Sequence, residues 1–481
     1  MLNNLLDYLE HSAECFPNKT AFSDETESAT FSQLVELGEK VGAAISGQIS
    51  GINLPVAVLT RHTVADVVAF IGTLYAGCFY VPLDGYAPTE HTELRIEAIK
   101  PAMVINAKTL SELPYATPTD SLFHSTNSTD PAYAIFTSGS TGVPKAAMVS
   151  HCGVINLTEW LSDTFNFNEK TIFAGQCPFY FDSSVQELYS TLKSGATTHL
   201  FPKKYFISPL KVLKRVEEVG ANVMPWAAAA VKLIANSGAF EKYVPQGVTD
   251  VIFGGENMPA KILNIWRKAL PDTRFTNVYG PTETTVDCSY YTINRDLSDD
   301  ESVPIGYPCR NTQLLLLDED GKSASKGEIY VRGAGVGLGY YNNPERTAEV
   351  FVQNPLDPAH DIVYRTGDIA RLNEYGELVF LTRADNQVKH MGSRVELGEV
   401  ETAAAGQDGV RLVCCAYDKE KSKILMFYEG STAEKELSAE LSARLPRYMC
   451  PNVVVRVENM PVLPNGKMDR VRVRKEYYDE L

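Results

Sequence analysis

The chain has 481 residues, of which 44% are hydrophobic and 22% charged, with a net charge of −16. That length argues against one ordinary core, and the acidity argues against a non-specific nucleic-acid binder, which needs a basic surface. The nine cysteines are odd in number, scattered and without Cys-x-x-Cys spacing, so free thiols in a reducing cytoplasm are expected. The first residues lack a basic region and a cleavage site, so no secretory signal is expected.

In chain order, amphipathic patterns at 31–45 and 209–219 predict helices, while apolar runs at 57–59, 102–106, 132–136, 197–201 and 251–253 predict strands. Their alternation implies an α/β fold of layered, largely parallel sheets. Residues 67–83 are nearly uncharged, but Gly72, Gly77, Pro82 and the short length favour a buried helix and then a strand over a membrane span. From 312 to 341 the pattern becomes β-rich, as a compact subdomain would be. The expected boundary is Arg383-Ala384-Asp385, which divides the chain into domains 1–384 and 385–481. The adjacent Cys414 and Cys415 lie in an apolar run and read as strand filler.

Residues 137–145 carry the densest chemistry. Thr137, Ser138, Ser140 and Thr141 offer hydroxyls, Gly139 and Gly142 let backbone N–H groups approach, and Lys145 supplies charge. Such a loop suits the oxyanions of a nucleotide triphosphate. It is not the Walker pattern, because Ala146 follows the lysine where a Ser or Thr is required. Further on stand Asn277-Val278-Tyr279-Gly280-Pro281-Thr282-Glu283, Tyr364-Arg365-Thr366-Gly367-Asp368, Arg383-Ala384-Asp385-Asn386-Gln387-Val388-Lys389, and Pro464-Asn465-Gly466-Lys467.

In this order and spacing, the segments resemble the adenylation domains of non-ribosomal peptide synthetases, from about Thr30 to Arg470. These belong to the adenylate-forming superfamily, with acyl-CoA synthetases, luciferase and D-alanine–carrier-protein ligase. The resemblance implies a large N-terminal domain of layered α/β sheets with a β-subdomain, and a small mobile α+β C-terminal domain. ATP and Mg²⁺ are the implied cofactors. The loop from Thr137 to Lys145 would hold the β- and γ-phosphates, Thr282 the α-phosphate, and Glu283 the metal ion. Gly280 belongs to the same turn. Asp368 would accept the ribose hydroxyls with help from Arg383. Tyr279 would lie against adenine, with Asn277, Gly254, Gly255 and Glu256 at its edge. Lys467 matches the catalytic lysine, and Asp385 the hinge.

The resemblance also implies an amino-acid pocket. Asp182, flanked by Phe181 and Ser183, matches the acid that pairs with a substrate α-ammonium. Gln186, Ala229, Ile252, Gly254, Val278, Val286 and Asp287 would line the side-chain end. Gln186 and Asp287 make that floor polar, so glutamine is the first choice of substrate; the small residue at Ala229 departs from the glutamine pattern, which has an acid there. No carrier or condensation signature occurs, so a free-standing enzyme loading a phosphopantetheine carrier protein in trans is expected, in the cytoplasm, without nucleic-acid or membrane partners. The alternatives are D-alanine–carrier-protein ligase and an acyl-CoA ligase, the latter opposed by Asp182.

Overall fold

A computed structural model describes residues 4–113, 126–137, 144–299, 301–383, 387–461 and 469–479. The chain divides into two compact units. One comprises Met1–Gly85, Ile99–Ile135 and Ala146–Ala384; the other comprises Tyr86–Ala98, Phe136–Lys145 and Asp385–Leu481.

Two sheets and their covering helices dominate the larger unit. The first sheet has nine strands, in the spatial order Tyr307–Pro308, Ser289–Thr292, Arg274–Tyr279, Asp250–Gly254, Val223–Ala227, Ile172–Gly175, Thr197–Leu200, Thr20–Ser23 and Ser28–Thr30. From Arg274–Tyr279 to Thr20–Ser23 every pairing is parallel, and only the margins are antiparallel. The second sheet has six strands, ordered Gly339–Tyr340, Lys145–Ser150, Pro131–Thr137, Phe79–Asp84, Pro55–Thr60 and Met103–Ile105. Parallel strands need helical crossovers on their faces, which explains the sequence alternation. The β-rich stretch forms a separate antiparallel sheet of Thr312–Leu317, Lys326–Gly333, Ile362–Leu372, Phe351–Gln353 and Leu378–Arg383.

Local signals set the helix positions. Helix Phe31–Ser46 starts with a reciprocal cap: the Gln33 backbone N–H donates to Thr30 Oγ1 at 3.3 Å, and Thr30 N–H donates to Gln33 Oε1 at 2.9 Å. It packs against Val64–Tyr75, which opens the nearly uncharged segment and is a helix buried at every residue but Ala65, leading to strand Phe79–Asp84. No helix among the described residues is long and apolar enough to cross a membrane. The two helices meet at glycines. A Cβ on Gly72 would lie 2.3 Å from Val41 Cγ1, and one on Gly42 would lie 2.6 Å from Tyr75 Cβ. Under the nine-stranded sheet a second core forms around Trp226 and Trp266, whose rings meet edge-on at 6.2 Å. Each indole N–H is satisfied, on the carbonyls of Ala174 and Val231. The N-terminal helix Leu6–Cys15, which carries no strong sequence signal, is fixed by burial of Leu6 and Leu9 and by a Tyr8 hydroxyl bond to Glu159.

The smaller unit holds hairpin Gln387–His390/Ser393–Glu396, helices Leu397–Ala405 and Glu434–Arg444, and the sheet Val410–Asp418, Lys423–Gly430, Val453–Arg456. Cys414 and Cys415 are both fully buried and point to opposite faces of their strand, into separate apolar clusters. They fill the two faces of a strand, as expected.

Replacing Gly72 with alanine should force the paired helices apart. We expect a loss of about 1–3 kcal/mol, the usual cost of overpacking, measured as a lower denaturation midpoint. An unchanged midpoint would mean that the helices yield freely.

Candidate active site

In open α/β sheets, ligands bind beyond the carboxyl ends of the strands. Here the ends of three neighbouring parallel strands are in register: Ala227 opposite Gly254, and Gly254 opposite Val278. A Cβ on Gly254 would lie 2.5 Å from the Val278 carbonyl oxygen, so this strand end must stay bare. Ile252 lies two residues earlier on the same strand, 2% exposed. Ala229 sits in the first turn of the helix that follows Ala227.

Beyond Tyr279 the chain makes a tight turn. A Cβ on Gly280 would lie 1.9 Å from the Val286 carbonyl oxygen, so only glycine closes it. Thr285 and Val286 are both left-handed, at φ 59° and 69°. For a β-branched residue such as Val286 that conformation costs on the order of 1–3 kcal/mol. Hydrogen bonds offset the cost: Thr285 Oγ1 donates to the Gly335 carbonyl at 2.6 Å, and Gly337 N–H to the Glu283 carbonyl at 2.8 Å. Thr282 and Glu283 occupy a single 3₁₀ turn at its tip. Glu283 is fully buried, and its Oε1 accepts from the Tyr340 hydroxyl at 2.5 Å.

The same turn delivers Asp287. The Gln186 side-chain amide donates to Asp287 Oδ2 at 2.6 Å in a buried contact. Burial pushes the Asp287 carboxyl well above its ordinary range, the nearby charge of Asp182 adds to the shift, and the Gln186 bond opposes it. Gln186 lies on helix Ser184–Ser194, directly after Phe181, Asp182 and Ser183. The expected substrate-side residues therefore lie at two helix starts, two strand ends and one turn. The next residue, Glu187, was not anticipated. Both its carboxyl oxygens are buried without a partner among the described residues, and burial raises its pKa well above the ordinary value.

Asp368 is buried between two donors. The Tyr279 hydroxyl donates to Oδ2 and Arg383 Nη1 to Oδ1, both at 2.6 Å. Tyr279 is 5% exposed, its ring packed with Cys288, Ile305, Ile329 and Val331. Its bond to Asp368 adds a link that the sequence reading lacked. The Asn277 amide donates to the Pro304 carbonyl at 2.8 Å, and Lys232 pairs with Glu256 at 2.8 Å next to the left-handed Gly255. Thr137 ends its strand with a buried hydroxyl that has no partner among the described residues, and Lys145 begins the next strand, buried. Ser138, Gly139, Ser140, Thr141, Gly142, Asp385 and Lys467 lie outside the described residues.

The residues present fit a nucleotide and a hard cation. Thr137 offers an orphaned buried hydroxyl, and Glu283 offers carboxylate oxygens suited to a hard cation. No group of three or more His, Cys, Asp or Glu side chains among the described residues could hold a metal by itself. Mg²⁺ needs no such cage, since one or two carboxylates and substrate phosphates usually suffice.

A family model described as "AMP-binding enzyme" matches residues 9–341, and the chain belongs to that family. Tyrocidine synthase 1 of Brevibacillus parabrevis is 29% identical over 96% of the chain, which spans only 44% of that protein. The D-alanine–D-alanyl carrier protein ligase of Lactiplantibacillus plantarum is 28% identical, over the whole of both chains. In fold, the chain is similar to the Vibrio cholerae adenylation domain AlmE in complex with glycyl-adenosine-5'-phosphate, with a TM-score of 0.85 at 21% identity over 100% and 98% of the two chains. IdnL1 gives 0.82 at 26% identity over 96% and 99%.

Glu187 sets a pH dependence. A carboxyl whose folded pKa is raised contributes stability that is complete below its ordinary 4.5 and is lost as pH rises through the folded value. Wild-type melting temperature should therefore carry a component that falls as pH rises above that ordinary value, and Glu187→Gln should remove it. Parallel curves for the two proteins would refute the raised Glu187 pKa.

Proposed function

We propose that the protein joins the carboxylate of an α-amino acid to the α-phosphate of ATP, releases pyrophosphate, and then passes the aminoacyl group to the phosphopantetheine thiol of a carrier protein supplied in trans. One observation carries the amino-acid reading: Asp182 precedes the start of helix Ser184–Ser194, the helix whose Gln186 holds the buried Asp287. An α-ammonium would pair with the Asp182 carboxylate. A fatty or aryl acid would not.

The chemistry places most of its demand on electrostatics. The substrate carboxylate attacks the α-phosphorus, and the bond to pyrophosphate breaks with no proton transferred. In our reading, Thr137 to Lys145 bind the β- and γ-phosphates, Thr282 and Lys467 meet the charge on the α-phosphate, and Asp368, steadied by Tyr279 and Arg383, binds the ribose. Glu283 would hold Mg²⁺, which neutralises phosphate charge when bound. Asn277, Tyr279, Gly255 and Glu256 are assigned to adenine. Single donors in comparable sites contribute about 3–4 kcal/mol to the transition state. The product is a mixed anhydride, so the thiol attacks it directly, releasing AMP and losing its proton to solvent. We assign domain 385–481, carrying Lys467, a swing about Asp385 between the two half-reactions, which suits a group that must enter and leave. An ATP-dependent enzyme with free thiols fits the cytoplasm.

Glutamine is our first substrate. D-alanine is the second reading, favoured by the match to the D-alanine–D-alanyl carrier protein ligase over its full length. The buried Gln186–Asp287 pair weighs against it, since a methyl group would leave that pair unmet.

Amino-acid-dependent ATP–pyrophosphate exchange, run across the standard amino acids and D-alanine, tests the proposal. Exchange should require Mg²⁺ and an α-amino acid; activity on fatty acids alone would overturn it. Lys467→Ala should slow adenylate formation by about 10²–10³ and leave thiolation from preformed adenylate far less affected. Equal loss in both steps would exclude the swing.

A further inference from the structure

Two stretches far apart in the chain meet at Glu283. Residues 335–341 run past it, and their backbone grips its turn: Gly337 N–H donates to the Glu283 carbonyl at 2.8 Å, and the Gly335 carbonyl accepts from Thr285 Oγ1 at 2.6 Å. The same stretch is stitched to strand Lys145–Ser150, where Leu338 N–H donates to the Met148 carbonyl and Tyr341 N–H to the Ala146 carbonyl, both at 2.9 Å. It also sends one side chain to Glu283. Tyr340, 3% exposed, donates its hydroxyl to Glu283 Oε1 at 2.5 Å. The backbone and the carboxylate of Glu283 are thus held from one strip of chain.

Tyr340 is itself tightly held. Its N–H donates to Thr347 Oγ1 at 2.9 Å, and that hydroxyl donates onward to the Asn343 carbonyl at 2.8 Å. Its ring stands edge-on to Phe351 at 6.0 Å. Gly339, left-handed at φ 104°, lets Thr347 come this close, since a Cβ there would lie 2.6 Å from Thr347 Cγ2. A ring fixed in this way brings its hydroxyl to one place. A phenol is also neutral: it holds a carboxylate oxygen without cancelling the charge that a cation would meet, unlike the Arg383 guanidinium on Asp368.

We propose that Tyr340 is a positioning residue for the divalent cation: its hydroxyl orients the Glu283 carboxylate and so sets how tightly the cation is held. This rests on the assignment of Glu283 to Mg²⁺ above. Donors that orient a metal-binding side chain typically contribute about 10- to 100-fold in metal affinity.

The test is Tyr340→Phe in the full chain, which keeps the ring against Phe351 and removes only the hydroxyl. Binding of Mn²⁺ beside saturating α,β-methylene-ATP, which cannot release pyrophosphate, is followed by electron paramagnetic resonance. The Mn²⁺ dissociation constant should rise about 10- to 100-fold, and the loss of pyrophosphate exchange should be relieved by raising Mg²⁺. A tyrosine that only fills space would lower the melting temperature and leave the Mn²⁺ affinity alone. Glu283→Gln should also weaken Mn²⁺ binding, and adding Tyr340→Phe to it should weaken binding no further. If Tyr340→Phe does not melt like the wild type, 3-fluorotyrosine at position 340 decides; it keeps ring and hydroxyl, strengthens the donor, and must change Mn²⁺ affinity at least about twofold. Unchanged Mn²⁺ affinity in the deciding Tyr340 protein overturns the role of Tyr340 and leaves Glu283 standing. Unchanged affinity in Glu283→Gln overturns both and leaves adenylation standing.

Discussion

Position 280 cannot carry a side chain, and most of the site depends on that. The turn after strand Arg274–Tyr279 closes so tightly that the Val286 carbonyl occupies the place of a Cβ on Gly280. From this closure come Thr282 and Glu283 at the tip and Asp287 at the exit, while Tyr279 is held at the entry against Asp368. Two consecutive left-handed residues, Thr285 and Val286, put strain into this turn. Bonds from the segment around Gly335 and Gly337, on a distant stretch of chain, hold it in place.

Around that turn the molecule concentrates buried acids. Glu187 has no hydrogen-bond partner among the described residues and burial raises its pKa, Asp287 accepts from an amide, and Asp368 is clamped by an arginine and a tyrosine. These are three different answers to the same desolvation cost. Asp368 has both oxygens bound, Asp287 has one, and Glu187 has neither among the described residues.

Sequence patterns alone revealed the alternating strands and helices, the β-rich insertion and the order of the motifs, because those follow from local periodicity and turn chemistry. Even the nearly uncharged segment was read correctly from its glycines and proline. Pairings were not legible. Gln186 and Asp287 are 101 residues apart, Tyr279 and Asp368 are 89 apart, and Glu283 and Tyr340 are 57 apart. Nothing local marks Tyr340 among the 24 tyrosines of the chain. Glu187 looks like any helix-surface acid until the sheet beneath it is known.

The three tryptophans, Trp160, Trp226 and Trp266, are all buried in the larger unit. The unit that includes 385–481 has tyrosines but no indole. Intrinsic fluorescence excited at the indole band therefore reports on one unit and is blind to melting of the other. Two units with separate cores need not unfold together, so a single clean emission transition would not demonstrate two-state behaviour of the whole chain. Far-ultraviolet dichroism, which sees both units, would have to coincide with it. The distribution of one residue type thus makes the chain its own differential probe, with no label added.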